Sequence, residues 1–271
     1  MYDLKRLQKT ELDMLVQIHN VCEALGIKYV ILYGTLLGAI RHEGFIPWDD
    51  DIDIIMNRED YDLFLREGQK LLPNNLLVQH YSIEPEAYNY YIKVRNTNTL
   101  FLENDNKSFN MCHGIFVDIF PFDRISSFCF IPKIEYYRRK LFNITAGCYS
   151  IDYIDSIRNP LKKKFGLIIH HIFCSKCSIS TFFGKEEAFR RKMNSHGRDT
   201  YLLDFFAWKG TVSYEDLFVR QLYLFEGFNF YGPKNSDKIL KQCYGSNYME
   251  LPPVESRITH QPLVVDFDIN S

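Results

Sequence analysis

Residues 33–56 read YGTLLGAIRHEGFIPWDDDIDIIM, and aspartates at 49, 50, 51 and 53 interrupt an otherwise apolar run. Few local features restrict a fold more, because an apolar strand buries charge only where something neutralises it. Read as a strand, Asp49, Asp51 and Asp53 share one face at a spacing of about 6.6 Å, while Ile52 and Ile54 point into a core. Three carboxylates on one face repel one another, and no Lys or Arg alternates among them. The simplest neutraliser is a divalent cation, and oxygen donors with few nitrogens select Mg²⁺ or Mn²⁺ over zinc. A solvated acidic loop or an aspartate-rich helix cap would also explain the charge. Against both stand Trp48, Ile52, Ile54, Ile55 and Met56, which are poor loop residues. A calcium loop of the EF-hand type needs a glycine and a closing glutamate at fixed offsets, and Asn57-Arg58 follows instead.

Periodicity supplies the surrounding elements. Leu4, Leu7, Leu15, Ile18, Val21, Cys22 and Leu25 recur at helical spacing, with Gly26 as a stop. Lys28–Tyr33 predicts a strand ended by Gly34-Thr35, and Leu36–Arg41 a short helix. Ile52–Met56 predicts a second strand, followed by an Asn57-capped helix running to about Leu72 before Pro73. Further strands are expected over Leu76–Tyr81, Tyr90–Arg95 and Gly114–Phe120, the last closed by Pro121. From Pro132 the pattern turns helical and basic, after which Phe225–Tyr231 alternates like a strand and Ser236–Tyr244 reads as a helix. The expectation is an α/β (α+β) fold. A mixed β-sheet core flanked by helices fills residues 1–124, and a mainly helical subdomain packs on it over 125–271, with one continuous domain as the alternative.

At 271 residues and 46% hydrophobic, the chain is large enough to bury a substantial core. Net charge is only −2, which gives no overall nucleic-acid footprint. Its distribution is uneven: Lys133 to Arg198 carries fourteen Lys/Arg against five Asp/Glu, leaving −11 elsewhere. A basic middle suits an anionic substrate or a membrane surface, and a solvated face explains it equally. Seven scattered cysteines without a secretory leader point to free thiols in a cytoplasmic compartment, with contact at the inner face of the membrane left open. The run Phe165–Phe173 is too short to span a bilayer. In HHIFCSKC, the set His170, His171, Cys174 and Cys177 has no second Cys pair, so buried thiols on a basic amphipathic helix are preferred to structural zinc.

The Gly34-Thr35 turn lets backbone N–H groups and a hydroxyl approach a phosphate, at the start of a helix whose dipole favours anions. With a downstream Asp-x-Asp strand, this is the arrangement of the nucleotidyltransferase fold. Asp118, alone among Phe116, Val117, Ile119 and Phe120, needs a partner if buried and suits a third carboxylate. Arg41 and His42 beyond the turn, and Lys93 and Arg95 alternating on YYIKVRN, are candidate contacts to a donor phosphate or nucleotide, although surface charges explain them as well. His113, five residues before Asp118, is a candidate donor or metal contact. Most of the 18 Tyr and 22 Phe fill a core, but a few such as Tyr33, Trp48 or Tyr91 could cage a quaternary ammonium.

Three motifs make the chain resemble the LicD family of bacterial phosphotransferases, which is related to the fukutin-related proteins. They are YGTLLGAIRHEGFIPWDDDIDI at 33–54, HGIFVDIFPFD at 113–123, and YGSNYMELPP followed by Arg257 and His260. The resemblance implies a nucleotidyltransferase-type fold, one or two Mg²⁺ or Mn²⁺ ions, and transfer of a phospho-substituent from a CDP-linked donor to a glycan or lipid-linked glycan. Phosphocholine from CDP-choline, moved onto a teichoic-acid or lipopolysaccharide precursor, is the leading cargo. Phosphoribitol or phosphoglycerol from a CDP-alditol is the alternative, as is nucleotidyl transfer to a small acceptor. Carried over residue by residue, Asp49, Asp51, Asp53 and Asp118 bind metal, and Asp51, Asp53 and Asp118 are catalytic. Family spacing favours the pair Asp49/Asp51 and apolar alternation favours Asp51/Asp53, so all three are assigned. Arg257 and His260 enter as acceptor or donor contacts through the resemblance alone.

Overall fold

Helix α1 (Leu4–Leu25) begins where the Asp3 carboxylate accepts the Arg6 N–H, and it ends at Gly26, whose φ of +66° suits glycine. Its buried stripe includes Leu7, Leu15, Ile18, Val21 and Cys22, as the spacing predicts, and Met14 besides. The structure, a computed structural model, describes residues 2–126, 132–174, 176–203, 209–257 and 259–269.

The first half continues β1 (Tyr29–Ile31), α2 (Tyr33–His42), β2 (Asp53–Asn57), α3 (Arg58–Glu67), β3 (Leu76–Gln79), β4 (Ile92–Asn96), β5 (Leu100–Leu102) and β6 (Phe116–Phe122). Five of these strands form a mixed sheet in the order β1-β2-β6-β4-β3, with β2 and β6 parallel and the other pairs antiparallel. The mixed α/β architecture expected from the sequence is present. Two boundaries differ for physical reasons. Asp49, Asp50 and Asp51 precede β2 as coil, so only Asp53 of the four aspartates lies in a strand. Pro121 does not close β6. Asp118 donates its N–H to Ile52 O at 3.0 Å, so the alternate Pro121 turns its missing N–H to the other side, where β4 pairing has already ended at Ile119.

The second half comprises β7 (Arg124–Ser126), α4 (Pro132–Gly147), α5 (Ile151–Ser156), α6 (Pro160–Ile169), α7 (Ile179–His196), β8 (Gly197–Leu202), β9 (Thr211–Ser213), α8 (Tyr214–Phe218), β10 (Arg220–Phe225), β11 (Phe228–Pro233), α9 (Ser236–Tyr244) and β12 (Val264–Asp266). It is therefore less purely helical than the basic pattern suggests, with a β7-β8-β9 sheet, a β10-β11 hairpin and β12 paired to β5. The expected single strand over 225–231 is the tip of that hairpin. Glu226 and Gly227 both have positive φ, 49° and 82°, the signature of a two-residue turn. One buried cluster runs from Leu7 to Cys243 and includes Phe225, Phe230 and Ile239, while Phe142, Tyr149, Ile179 and Phe183 form a smaller one under the middle helices.

Buried ions join α7 to the sheet. Arg58 grips both oxygens of Asp123 at 2.8 Å and reaches Glu187 at 2.9 Å. Burial alone would raise the Asp123 carboxyl, but the Arg58 guanidinium holds it well below the usual carboxylate range. Nearby, His80 has no exposed surface, and its Nδ1 lies 2.8 Å from Ser82 Oγ. Burial pushes the imidazole down to about 4; Glu187 opposes this shift, while Arg58 and Arg191 add to it. The folded state thus keeps His80 neutral, and as pH falls below about 6.5 the unfolded chain takes up a proton first. His80→Gln is expected to remove about 3 kcal/mol of acid-induced destabilisation between pH 6.5 and 4. Urea midpoints at a series of pH values measure it, and an equal acid loss in the variant would refute this role.

Candidate active site

The acidic coil is held from three sides. From α1, Gln8 donates its side-chain amide to Asp49 O at 2.9 Å, and from just before that helix the Tyr2 hydroxyl donates to Asp50 Oδ2 at 2.9 Å. From the C-terminal segment, the His260 backbone N–H donates to Asp50 Oδ2 at 3.0 Å, and His260 Nδ1 lies 3.1 Å from Asp50 Oδ1. Asp50, at 2% exposed, is therefore fully partnered and acts as the anchor of His260. The coil then enters β2, where the Asp53 N–H donates to Thr35 Oγ1 at 2.9 Å and ties the strand to α2.

A cavity of about 680 Å³ opens over this coil. One wall is Tyr33, Gly34, Leu37 and Arg41 of α2 with Trp48, Asp49, Asp50, Asp51 and Asp53; the other is Tyr244, Asn247, Tyr248, Glu250, Leu251, Pro252 and Pro253 with Ser256, Thr259 and His260. Arg41 joins the walls by donating to Tyr248 O at 2.9 Å and Glu250 O at 3.1 Å. Tyr33 is held at φ +49°, a conformation costing about 1 kcal/mol, while its hydroxyl donates to Leu203 O at 2.8 Å. A Cβ on Gly34 would stand 2.7 Å from Asp49 Oδ2, so glycine is what lets that carboxylate reach the first turn of α2 and its positive dipole end.

Crowding sets the charge state of the coil. Burial, then Asp51 and Asp50, push the Asp49 carboxyl up to about 8. Burial followed by Asp51 and Asp118 raises Asp53 well above the usual range. Asp51 also rises through burial, although His260 opposes it. Burial disfavours the charged His260 ring, but its bond to Asp50 and the Asp51 charge outweigh that and raise it to about 9. His260 and Lys93 offset these carboxylates only in part, so Asp49, Asp51 and Asp53 all stay raised. Their oxygens, set with one imidazole, suit a divalent cation: Asp50, Asp51 and His260 each offer a ligand atom within 4.8 Å of the others. Among the described residues, this is the group with metal-ligating geometry.

The sheet register explains Asp118. Asp53 on β2 stands opposite Asp118 on β6, and Asp118 stands opposite Lys93 on β4, so three charges lie in one row. Lys93 Nζ sits 2.8 Å from Asp118 Oδ1, with its ammonium 3.3 Å from the Phe116 ring centroid. Both residues are buried and neither lines the cavity. Arg95 is fully buried, donating to Gln79 Oε1 at 2.7 Å and Gly114 O at 2.8 Å. His42 accepts from Arg41 Nε at 2.9 Å, and burial, then Arg41, lowers its pKa. His113 turns to Phe109 O at 3.0 Å, outside the cavity lining. Arg257 stacks on Trp48, 4.1 Å from the ring centroid. Tyr91 is directed at Asp118 Oδ2 (3.4 Å) and does not line the cavity. In the middle segment, His170 Nδ1 lies 2.8 Å from Cys148 O, and Cys174 donates weakly to the same carbonyl at 3.6 Å.

The structure thus brings Gly34, Arg41, Asp49, Asp51, Asp53 and His260 to one cavity, with Thr35 and Asp118 behind it. Sequence reasoning missed Asp50, because strand alternation turns it away from its neighbours. It also missed Glu11, buried at 1% exposed on α1, whose carboxyl burial and then the Asp51 and Asp50 charges raise well above its usual range. No periodicity signals either residue; the helical pattern of α1 shows Glu11 only as a polar position on a buried stripe.

Residues 26–146 match the family model described as LicD/FKTN/FKRP, nucleotidyltransferase domain, which spans the sheet from β1 to β6. Lipopolysaccharide cholinephosphotransferase LicD of Haemophilus influenzae is 27% identical over 271 aligned residues, covering 95% of each chain. Ribitol 5-phosphate transferase FKRP of Homo sapiens is 50% identical over 41 residues, 15% of this chain and 8% of its own. An uncharacterized protein of Rickettsia typhi is 45% identical over 61 residues, 22% of this chain and 18% of its own. The domain match covers the aspartates and the similarity to the Haemophilus protein extends across both cavity walls: residues 26–146 match a LicD-family domain, in a chain similar along 95% of its length to a LicD protein.

Proposed function

We propose that the protein transfers phosphocholine from CDP-choline to a cell-surface glycan precursor, with the donor's diphosphate in the cavity above Asp49, Asp51 and Asp53. The observation that carries this reading is the half-buried, mutually repelling carboxylate group at the floor of a donor-sized cavity, in a chain similar end to end to a lipopolysaccharide cholinephosphotransferase. Asp49, Asp51 and Asp53 would hold Mg²⁺ or Mn²⁺, with Asp50 and His260 beside them. When bound, the ion supplies positive charge to the phosphoryl oxygens.

The remaining roles belong to the chain itself. Asp50 fixes His260 at the cavity edge, and Thr35 fixes the start of β2 so that Asp53 faces inward. Arg41 holds the Tyr248–Glu250 backbone over the donor and thereby limits water access. Of the two carboxylates considered for accepting the proton of the acceptor hydroxyl, Asp118 is engaged by Lys93 and Asp49 lines the cavity, so Asp49 would take that role. Cavity residues Tyr33, Tyr244 and Tyr248 offer aromatic faces to a quaternary ammonium, a role Trp48 shares with the guanidinium of Arg257 already stacked on it. The short, strong match to a ribitol 5-phosphate transferase favours phosphoribitol from CDP-ribitol as the second reading.

Incubating the protein with an acceptor glycan and CDP-choline, CDP-ribitol or CDP-glycerol tests both. CMP release from CDP-choline is expected, abolished by EDTA and restored by Mg²⁺ or Mn²⁺. CMP release from CDP-ribitol alone selects the second reading. Pyrophosphate release from a nucleoside triphosphate, with no CMP from any of the three donors, overturns both.

A further inference from the structure

Among the described residues, helix α6 and the turn that follows leave an apolar stripe without a partner. Leu161, Phe165, Ile168 and Ile172 recur at i, i+4, i+7 and i+11, and each is between 47% and 78% exposed. The helix touches the rest of the protein through Gly166 and Ile169, which pack on Cys148 and Ile154. In the basic run Lys162-Lys163-Lys164, Lys163 pairs with Asp155 at 2.9 Å, whereas Lys162 and Lys164 are exposed. Helix α4 repeats the design: Ile134, Tyr137 and Leu141 are exposed at i, i+3 and i+7, opposite the buried Tyr136, Arg139 and Phe142. Among the described residues, no helix is long and apolar enough to cross a membrane.

We propose that α6 docks this protein on an anionic lipid bilayer, with Phe165, Ile168 and Ile172 entering the acyl boundary and Lys162 and Lys164 meeting the headgroup phosphates. An apolar stripe flanked by lysines is the composition of a helix that lies in the membrane interface. Charge complementarity selects the occupant. Residues 133–198 carry fourteen basic against five acidic side chains, so an anionic surface is attracted, whereas a second copy seated on the same stripe would oppose like charges. The proposal stands on this surface alone, independently of the reaction in the cavity.

The test is co-sedimentation of the full chain with vesicles of phosphatidylcholine, alone and mixed with phosphatidylglycerol. Binding to the mixed vesicles, little to the neutral ones, and weakening with added salt are expected. F165S/I168S should bind mixed vesicles roughly tenfold more weakly with an unchanged melting temperature, because both side chains are exposed. K162E/K164E should lose binding as well. Absence of vesicle binding overturns the proposal, as does F165S/I168S binding normally while excess glycerol phosphate displaces the protein, which would mark a free-phosphate site. A dimer dispersed by F165S/I168S in the absence of vesicle binding would assign the stripe to a second copy instead.

Discussion

With donor, acceptor and Mg²⁺ supplied, Asp53→Asn is expected to lower transfer by roughly a thousandfold or more while the fold persists. The backbone at 53 is set by β1 and β6 on either side and by the Thr35 hydroxyl, so an amide keeps the shape and removes the charge. Loss of a carboxylate that burial, Asp51 and Asp118 already oppose relieves repulsion in the empty site. The melting temperature in EDTA should therefore be no lower than that of the parent, whereas the rise produced by Mg²⁺ should shrink or vanish, since a ligand stabilises only the state that binds it. Asp51→Asn should behave alike. Near-normal CMP release, with an undiminished Mg²⁺ response, would sink the assignment of these carboxylates.

Lys93→Met should be the most damaging conservative change near the site, destabilising by about 3–5 kcal/mol, because it leaves Asp118 buried without its counter-charge. The Met side chain fills the space against Phe116, so the loss reports the missing ammonium and not a cavity. Adding Asp118→Asn to Lys93→Met should restore much of the stability, since the uncompensated charge is gone. Denaturant midpoints for both singles and the double form the cycle that measures this coupling. Additive losses would mean that Lys93 and Asp118 do not depend on each other.

Much of the first half is legible from local patterns. The stripe of α1, its Gly26 stop and the Asn57 cap of α3 each follow from chemistry within a few residues. What local pattern cannot report is register. That Asp118 stands between Asp53 and Lys93 depends on strands brought together from distant parts of the chain, and YYIKVRN by itself does not say which carboxylate its lysine meets. The acidic coil escapes local pattern for a related reason: its apolar neighbours suggest a strand, whereas Gln8, Tyr2 and His260 supply the bonds that allow it to be irregular. The β10-β11 hairpin was obscured because FEGFNFY is aromatic on both sides of its turn, and only the positive φ of Glu226 and Gly227 divides it.

The bonds between Asp50 and His260 join residues 210 positions apart, and those from Arg41 to Tyr248 and Glu250 span 207 and 209. Such closures form late in folding, because the entropy of the intervening loop is spent before the contact rewards it. During synthesis the sheet that carries Asp53 can be in place long before residue 260 leaves the ribosome. A nascent chain would therefore carry the sheet under the cavity before it carries the second wall, and the Asp50–His260 bonds would close only after both have emerged.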